Sequence, residues 1–338
     1  MFNFGKRIGI DLGTANSLVY VAGEGVVLSE PTVVAISTDD NKVLAIGNEA
    51  KEMLGRTPGN IIASRPLRDG VIADYVITEA MLRAFIDKVC GRSRLFKPEV
   101  MICVPAGVTS VERRAVLDAT LSAGAKVAYL IDEPLAAAIG AQIPIANPSG
   151  NMIVDMGGGT SEAAVICLGG VVLHNSVRVG GNKIDEAIQI GVRKKYGLII
   201  GDNQAEEVKI QIGSAIPVKN SENKVIQIRG RDIVSGLPKT FDLSSLETTE
   251  MIEGTVQKII AVVKGVLEQT PPELGSDIID KGIVLSGGTS LLNNLDKLMT
   301  DTIGVPCHVA ENPMMCVVLG TGMALENLDL YKRSVSKK

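Results

Sequence analysis

Short apolar runs typical of buried strands alternate along the chain with stretches whose apolar residues recur at helical spacing. Segments 7–21 and 151–170 each predict two strands joined by a tight turn. Segment 99–108 predicts a buried strand, followed by a helix for which Ser110 is the expected N-cap. Segment 126–134 predicts a strand that runs into a helix. This alternation is typical of α/β lobes.

The two strand-turn-strand segments follow one design, an apolar strand, then Asp-x-Gly, then a small-residue turn that ends in threonine. We expect an internal duplication with one phosphate-handling hairpin in each of two lobes. The length of 338 residues also favours two lobes, because a single core stops growing at ~250–300 residues. The more polar segment 183–245 and the segment 31–67 are expected to be smaller appended subdomains.

Composition excludes several classes of protein. With 46% hydrophobic residues the chain is too apolar for disorder, yet no apolar run reaches the ~18–20 residues of a membrane span. No secretory signal is recognisable, so a cytoplasmic location is expected. A net charge of −4 with scattered basic residues argues against nucleic acid as the main partner. The five cysteines form no CxxC pair, and no GxxxxGK[ST] loop is present, so neither a metal cluster nor a P-loop is predicted.

The first hairpin has the residues that a phosphate site needs. Gly13 and the small residues Thr14, Ala15 and Asn16 would let backbone N–H groups approach a phosphate closely. Asp11, at the strand end, is placed to hold hydrated Mg²⁺, which prefers one or two carboxylates plus water and phosphate. An ordinary hairpin turn is the alternative.

The second hairpin carries three consecutive glycines, Gly157, Gly158 and Gly159, after the strand that ends near Asp155. Such a run costs backbone entropy that a mere turn does not require, so it favours a clamp on the terminal phosphates. Asp155 would be a second Mg²⁺ partner. A flexible turn is the alternative.

Two further segments suggest a nucleotide site. Segment 282–292 predicts a strand leading into a glycine-rich helix start, where a base and ribose can lie against the backbone; a simple helix start is the alternative. Asp132 and Glu133 stand at another strand end, where a carboxylate can orient or deprotonate an attacking water. A helix N-terminal charge is the alternative there.

In this order and spacing, the segments resemble the five motifs of the actin, sugar kinase and DnaK-type chaperone ATPase superfamily. Within it, DLGTAN, EPLAAAIG, PSGNMIVDMGGGTSE and the C-terminal ENP…LGTG are similar to the MreB family over essentially the whole chain. The resemblance implies an α/β, actin-like (ribonuclease H-like) two-lobe fold with two small inserted subdomains. The implied subdomains are IA (1–32, 68–147 and 316–338), IB (33–67), IIA (148–182 and 246–315) and IIB (183–245).

The same resemblance implies an ATPase that polymerises into paired protofilaments at the inner face of the cell membrane, with membrane-bound cell-shape proteins as partners. ATP or ADP and Mg²⁺ are the implied cofactors. Glu133 would position the attacking water with help from Thr160. The remaining implied contacts are Asp11 and Asp155 to Mg²⁺ through water, Gly13, Thr14, Ala15, Asn16, Gly157, Gly158 and Gly159 to phosphates, Glu206 and Lys209 to ribose and adenine, and Gly287 and Gly288 to the base.

Two further alternatives also remain open. Glu206 and Lys209 also fit a solvated i,i+3 pair on a helix. A small-molecule kinase of the same superfamily is the second functional reading, although such a kinase needs substrate-binding insertions that the chain does not display.

Membrane contact has local support in segment 92–97, where Leu95 and Phe96 stand between cations at the position of the membrane-inserting loop of MreB proteins. Phe2 and Phe4, next to basic residues, form a second such patch. Packing of Leu95 and Phe96 into the core is the alternative.

Overall fold

The computed structural model describes residues 5–40, 42–91 and 96–337. The strands are β1 (Arg7–Leu12), β2 (Asn16–Val21), β3 (Gly25–Pro31), β4 (Val34–Ser37), β5 (Val43–Ile46), β6 (Ile61–Ser64), β7 (Leu67–Arg68), β8 (Val71–Ile72), β9 (Glu99–Val104), β10 (Val127–Asp132), β11 (Asn151–Met156), β12 (Ser161–Cys167), β13 (Gly170–Val177), β14 (Leu198–Ile199), β15 (Val225–Asp232), β16 (Pro238–Ser244), β17 (Ile283–Ser286), β18 (Cys307–Val309) and β19 (Ser336–Lys337). The helices are α1 (Asn48–Met53), α2 (Tyr75–Cys90), α3 (Ser110–Ser122), α4 (Glu133–Gly140), α5 (Gly181–Tyr196), α6 (Asp202–Ile212), α7 (Ser245–Gln269), α8 (Pro272–Lys281), α9 (Leu295–Ile303), α10 (Cys316–Glu326) and α11 (Leu328–Tyr331), with 3₁₀ turns at Asn220–Glu222 and Gly288–Leu291.

Two sheets organise the molecule. The first lobe is built on a six-stranded sheet of order β19-β10-β9-β1-β2-β3, and the second lobe on a five-stranded sheet of order β13-β12-β11-β17-β18. In the first sheet β1 pairs antiparallel with β2 and parallel with β9. In the second, β11 pairs antiparallel with β12 and parallel with β17. The two hairpins therefore occupy equivalent places, which confirms the duplication that the sequence predicts.

Helices α4 and α10 pack between the two sheets. Their apolar residues share one hydrophobic cluster with Met101 and Ile131 of the first sheet and with Ile153 of the second. A Cβ atom on Gly140 would lie 1.8 Å from the backbone oxygen of Cys316, so the two helices cross in backbone contact. Only glycine fits such a crossing, because it has no Cβ atom to separate the two backbones.

Smaller sheets occupy the two segments predicted to be appended subdomains. Strands β4, β5 and β6 form one three-stranded sheet, and β14, β15 and β16 form another. The division into four subdomains with the boundaries given above stays a prediction. Within the described residues, no helix is both long and apolar enough to cross a bilayer.

Two predictions about helix starts are wrong. Thr109, not Ser110, is the N-cap of α3, because its hydroxyl accepts from the N–H of Glu112 while the Glu112 carboxylate accepts from the N–H of Thr109. Such a capping box needs an acid three residues after the cap, and only Thr109 has one there. Segment 282–292 leads into the short 3₁₀ turn Gly288–Leu291, and the next α-helix begins at Leu295.

Candidate functional site

A cavity of about 430 Å³ lies where the hairpins of the two lobes meet. This volume falls within the range of typical small-molecule sites. Every residue to which the sequence assigns a catalytic, metal or cofactor role contributes to its wall. These residues are Asp11, Gly13, Thr14, Ala15, Asn16, Glu133, Asp155, Gly157, Gly158, Gly159, Thr160, Glu206, Lys209, Gly287 and Gly288.

The glycine run of the second hairpin packs against the first hairpin. A Cβ atom on Gly158 would lie 2.6 Å from the Cβ of Ala15, and one on Gly159 would lie 2.5 Å from Oγ1 of Thr14. At Gly157 the nearest atom to such a Cβ is the Thr160 carbonyl oxygen at 3.6 Å, so this glycine is not required by packing. Two of the three glycines therefore bring the lobes into contact, a reason that the sequence alone does not reveal.

Acidic side chains gather on one side of the cavity. Burial, followed by the nearby charge of Asp155, raises the pKa of Asp11 to about 7, although the Cys103 thiol, which donates to Asp11 over 3.4 Å, partly opposes this. Burial raises the pKa of Asp155 to about 6, although a 2.8 Å hydrogen bond from the Ser286 hydroxyl acts to lower it. Burial and the charge of Glu162 raise the pKa of Glu133 well above its ordinary value. Because ionised carboxylates repel one another in this cluster, a bound cation would stabilise their charged forms.

Glu162 is a member of this cluster that the sequence reasoning missed. It is 1% exposed, and burial raises its pKa to about 8. One carboxylate oxygen accepts from the N–H of Ala106 at 3.1 Å, while the other has no hydrogen-bond partner among the described residues. The antiparallel register pairs Glu162 with Asp155, so the side chains of both residues lie on one face of the sheet. A charged residue inside the apolar strand SEAAVIC was the available signal.

Glu206 and Lys209 bond to different partners rather than to each other, so the reading as a solvated i,i+3 pair is wrong. Glu206 accepts from Lys51 of α1 at 2.8 Å, and Lys209 donates to Asp185 of α5 at 3.0 Å. Burial raises the pKa of Glu206, but the hydrogen bond and charge of Lys51 outweigh it, so the net shift is downward. Both Glu206 and Lys209 line the cavity.

The third glycine-rich turn closes another side of the cavity. Gly287 has a φ of +81°, and a Cβ there would lie 2.3 Å from the backbone oxygen of Met156. It is thus fixed by contact with β11, whereas the nearest atom to a Cβ on Gly288 is Cγ of Met314, at 3.8 Å. The Thr289 hydroxyl donates to the Gly157 carbonyl at 2.8 Å, so the turn is tied to the second hairpin.

Of the two residues predicted to enter the membrane, Leu95 lies outside the described residues, as do Phe2 and Phe4. Phe96 is described and is 56% exposed. Packing of Phe96 into the core, the alternative reading, is therefore wrong.

Comparisons with known proteins agree with this architecture. The family model described as MreB/Mbl protein matches residues 5–333. The chain is 50% identical over 334 residues to the cell shape-determining protein Mbl of Bacillus subtilis, covering 98% of this chain and 100% of that protein. It is 50% identical to the cell shape-determining protein MreB of Escherichia coli over 97% of this chain and 95% of that protein.

Solved structures give the same answer for the fold. MreB5 of Spiroplasma citri bound to ADP superposes with a TM-score of 0.91 at 38% identity, over 97% of this chain and 99% of that chain. The same protein bound to AMPPNP gives a TM-score of 0.90 at 37% identity, over 98% of each chain. A MamK double helical filament matches in fold with a TM-score of 0.79 at 21% identity, over 95% of this chain and 98% of that chain. The predicted actin-like fold is confirmed, and the chain belongs to the MreB/Mbl family.

Proposed function

We propose that this protein binds and hydrolyses ATP with Mg²⁺ and uses the nucleotide to control its own polymerisation into filaments at the cytoplasmic face of the membrane. One observation carries the proposal: two glycine-lined hairpins and a buried acidic cluster, each drawn from both lobes, line a single cavity. That ADP and AMPPNP bind a 37–38% identical protein of the same fold supports it.

The donors in the cavity fit a magnesium triphosphate. The backbone around Gly13 and Gly157 would hold phosphates, together with the Thr14 and Asn16 side chains. Asp11 and Asp155 suit a hydrated Mg²⁺, because burial disfavours both charges in the absence of a cation and the charge of Asp155 further disfavours that of Asp11. The bound ion would neutralise charge on the phosphates during hydrolysis.

Glu133 is the residue proposed to orient the attacking water. It lies at the N-terminus of α4 on the cavity wall, is 9% exposed, and faces the hairpin that carries Thr160. A carboxylate with a raised pKa is a better proton acceptor than an ordinary one when it is ionised. Thr160 would help to hold the water.

The other end of the cavity has the apolar surface that a purine needs. Ile210, Leu291 and Met314 line the cavity and are 73%, 58% and 43% exposed. A base lying against the open face of Gly288 would cover them. Glu206 and Lys209, on the same side as Ile210, would meet the ribose and base.

Self-association and membrane contact are proposed from the related proteins and from one exposed side chain, not from the cavity. The matched MamK structure is a filament, and the relatives are named as cell shape-determining proteins. The exposure of Phe96 favours insertion of the 92–97 loop into lipid. Each inserted side chain contributes ~1.5–3 kcal/mol, and a filament repeats the contact many times. Membrane-bound cell-shape proteins are the proposed partners.

The decisive experiment is ATP titration by calorimetry with Mg²⁺, followed by sedimentation with and without liposomes. We expect saturable nucleotide binding and nucleotide-dependent pelleting that increases with lipid. Absence of adenine nucleotide binding would remove the proposal.

A single substitution tests the role of Glu133. Glu133→Ala should retain ATP binding while lowering phosphate release by ~10²-fold. Unchanged turnover would remove the role of Glu133 but leave nucleotide binding in place.

A further inference from the structure

A hydrogen bond joins the two lobes near the end of β10, the strand that precedes Glu133. The Glu162 carboxylate, on β12 of the second lobe, accepts from the N–H of Ala106 in the first lobe at 3.1 Å. Ala106 lies in the loop that follows β9. Strand β9 runs parallel to β10, with Val104 paired to Asp132, the residue before Glu133. The loop that Glu162 holds is therefore adjacent to the strand end that carries Glu133.

Arg113 of α3 extends this contact toward Glu133. Its guanidinium donates to the Ala106 carbonyl at 3.4 Å and to the Asp132 carboxylate at 2.5 Å. Ala106 is thus held through its N–H by the second lobe and through its C=O by the first lobe. A continuous series of hydrogen bonds leads from Glu162 through Ala106 and Arg113 to Asp132, and the next residue along the backbone is Glu133.

Glu162 costs stability where it stands. A buried carboxylate with one unpartnered oxygen is unfavourable, and an apolar residue on β12 would avoid that cost. Glu162 is also not among the residues that line the cavity, so it is not placed to touch a nucleotide. Residues that lower stability without touching the ligand are expected where function requires them.

We infer that Glu162 is a positioning residue for hydrolysis: through Ala106, Arg113 and Asp132 it couples the relative placement of the two lobes to the placement of the Glu133 carboxylate. The inference rests on the proposed function, in which Glu133 orients the attacking water. When the lobes close around a nucleotide, the hydrogen bond from the Ala106 N–H to Glu162 holds the loop after β9 next to the end of β10. A misplacement of 1 Å at such a site costs ~10²-fold in rate.

The test compares Glu162→Ala with Glu162→Gln in the full chain. Glu162→Ala should lower turnover at saturating Mg-ATP by ~10- to 100-fold, while its Kd for AMPPNP stays within about twofold of the unaltered protein. Glu162→Gln keeps an oxygen that can accept from Ala106 and should recover most of the turnover. In the nucleotide-free protein, hydrogen exchange of the Ala106 amide should accelerate in Glu162→Ala and much less in Glu162→Gln.

Two further variants complete the test, one as a control for loss of a contact between the lobes and one as a second break in the hydrogen-bond series. Arg178→Ala removes an exposed ion pair between the same two lobes, 3.8 Å from Glu112, and should leave turnover unchanged. Arg113→Met breaks the hydrogen-bond series at its other end and should lower turnover without changing the Kd for AMPPNP. If Glu162→Ala does not fold, the turnover and AMPPNP affinity of Arg113→Met still test the inference.

Three results would overturn the inference: unaltered turnover in Glu162→Ala or Arg113→Met, an equal loss in Glu162→Gln and Glu162→Ala, or unaltered exchange at Ala106. These failures differ from failure of the proposed function. If the unaltered chain neither binds nor hydrolyses ATP, the proposed function falls and the inference with it. If the unaltered chain and Glu162→Ala turn over ATP equally, only the inference falls.

Discussion

The nucleotide-free protein should become more stable when Asp11 loses its ability to ionise. Its pKa is raised from 3.8 to about 7, so the folded chain binds more protons than the unfolded chain between these values. By linkage, this carboxyl lowers the free energy of unfolding as pH rises from about 4 to 7, and the loss is complete above the folded pKa. Asp11→Asn removes the charge and with it this loss.

The magnitude follows from the shift. About three pKa units correspond to ~4 kcal/mol at most. Asp11 is half-buried and lines the cavity, so water there screens its charge and ~1–3 kcal/mol is expected. Asp155, with a pKa of about 6, should show a smaller effect of the same sign. The two gains should not add, because the charge of Asp155 is one cause of the shift at Asp11.

Urea-induced unfolding without nucleotide and with EDTA, at pH 8 and pH 5, measures this difference. Asp11→Asn should exceed the unaltered chain by ~1–3 kcal/mol at pH 8 and by less than about half of that at pH 5, because pH 5 lies less than halfway from the unfolded pKa of 3.8 to the folded pKa of about 7. The exposed Asp39→Asn is the control and should change neither value. With Mg-ATP at 100 times its Kd the unaltered chain should gain ~2.7 kcal/mol and Asp11→Asn far less. A loss of stability in Asp11→Asn at pH 8 would refute the reasoning.

Two other substitutions have clear expectations. Ser286→Ala removes the hydrogen bond that holds Asp155, so Mg²⁺ affinity measured by titration at pH 7 should fall ~5- to 10-fold, and an unchanged affinity would contradict this role. Gly158→Ala places a methyl group 2.6 Å from Ala15 and should lower the free energy of unfolding by ~1–3 kcal/mol. Gly157→Ala, where the new Cβ would make only an ordinary contact of 3.6 Å with the Thr160 carbonyl oxygen, is its matched control in urea unfolding, and equal losses in both variants would refute the packing argument.

Local patterns predict the hairpins and the acidic and glycine residues they carry, whereas Thr160, Glu206 and Lys209 are predicted only by the resemblance to a known family. An apolar strand that ends in Asp-x-Gly before small residues is a short-range signal, and its repetition predicts one hairpin in each of two lobes, whereas the actin-like fold is implied by the resemblance of the motifs to a known family. The pairs Lys51–Glu206 and Glu162–Ala106 join residues far apart in the sequence, and no local pattern reports such contacts. The N-cap of α3 was misplaced because Thr109 and Ser110 offer the same hydroxyl, and only the distance to Glu112 distinguishes them.

The location of the acidic cluster bears on how the nucleotide binding proposed above would act on the two lobes. Asp11 and Glu133 belong to the first lobe, whereas Asp155 and Glu162 belong to the second, so separation of the lobes relieves the repulsion among them. A cation with bound phosphates reverses the sign of this interaction, and it then favours the closed arrangement. The Gly158 and Gly159 contacts with Ala15 and Thr14 leave little room for the two hairpins to approach each other further. In the proposed function, the repulsion between Asp11 and Asp155 would therefore favour separation of the lobes without a cation and would be removed when a cation binds.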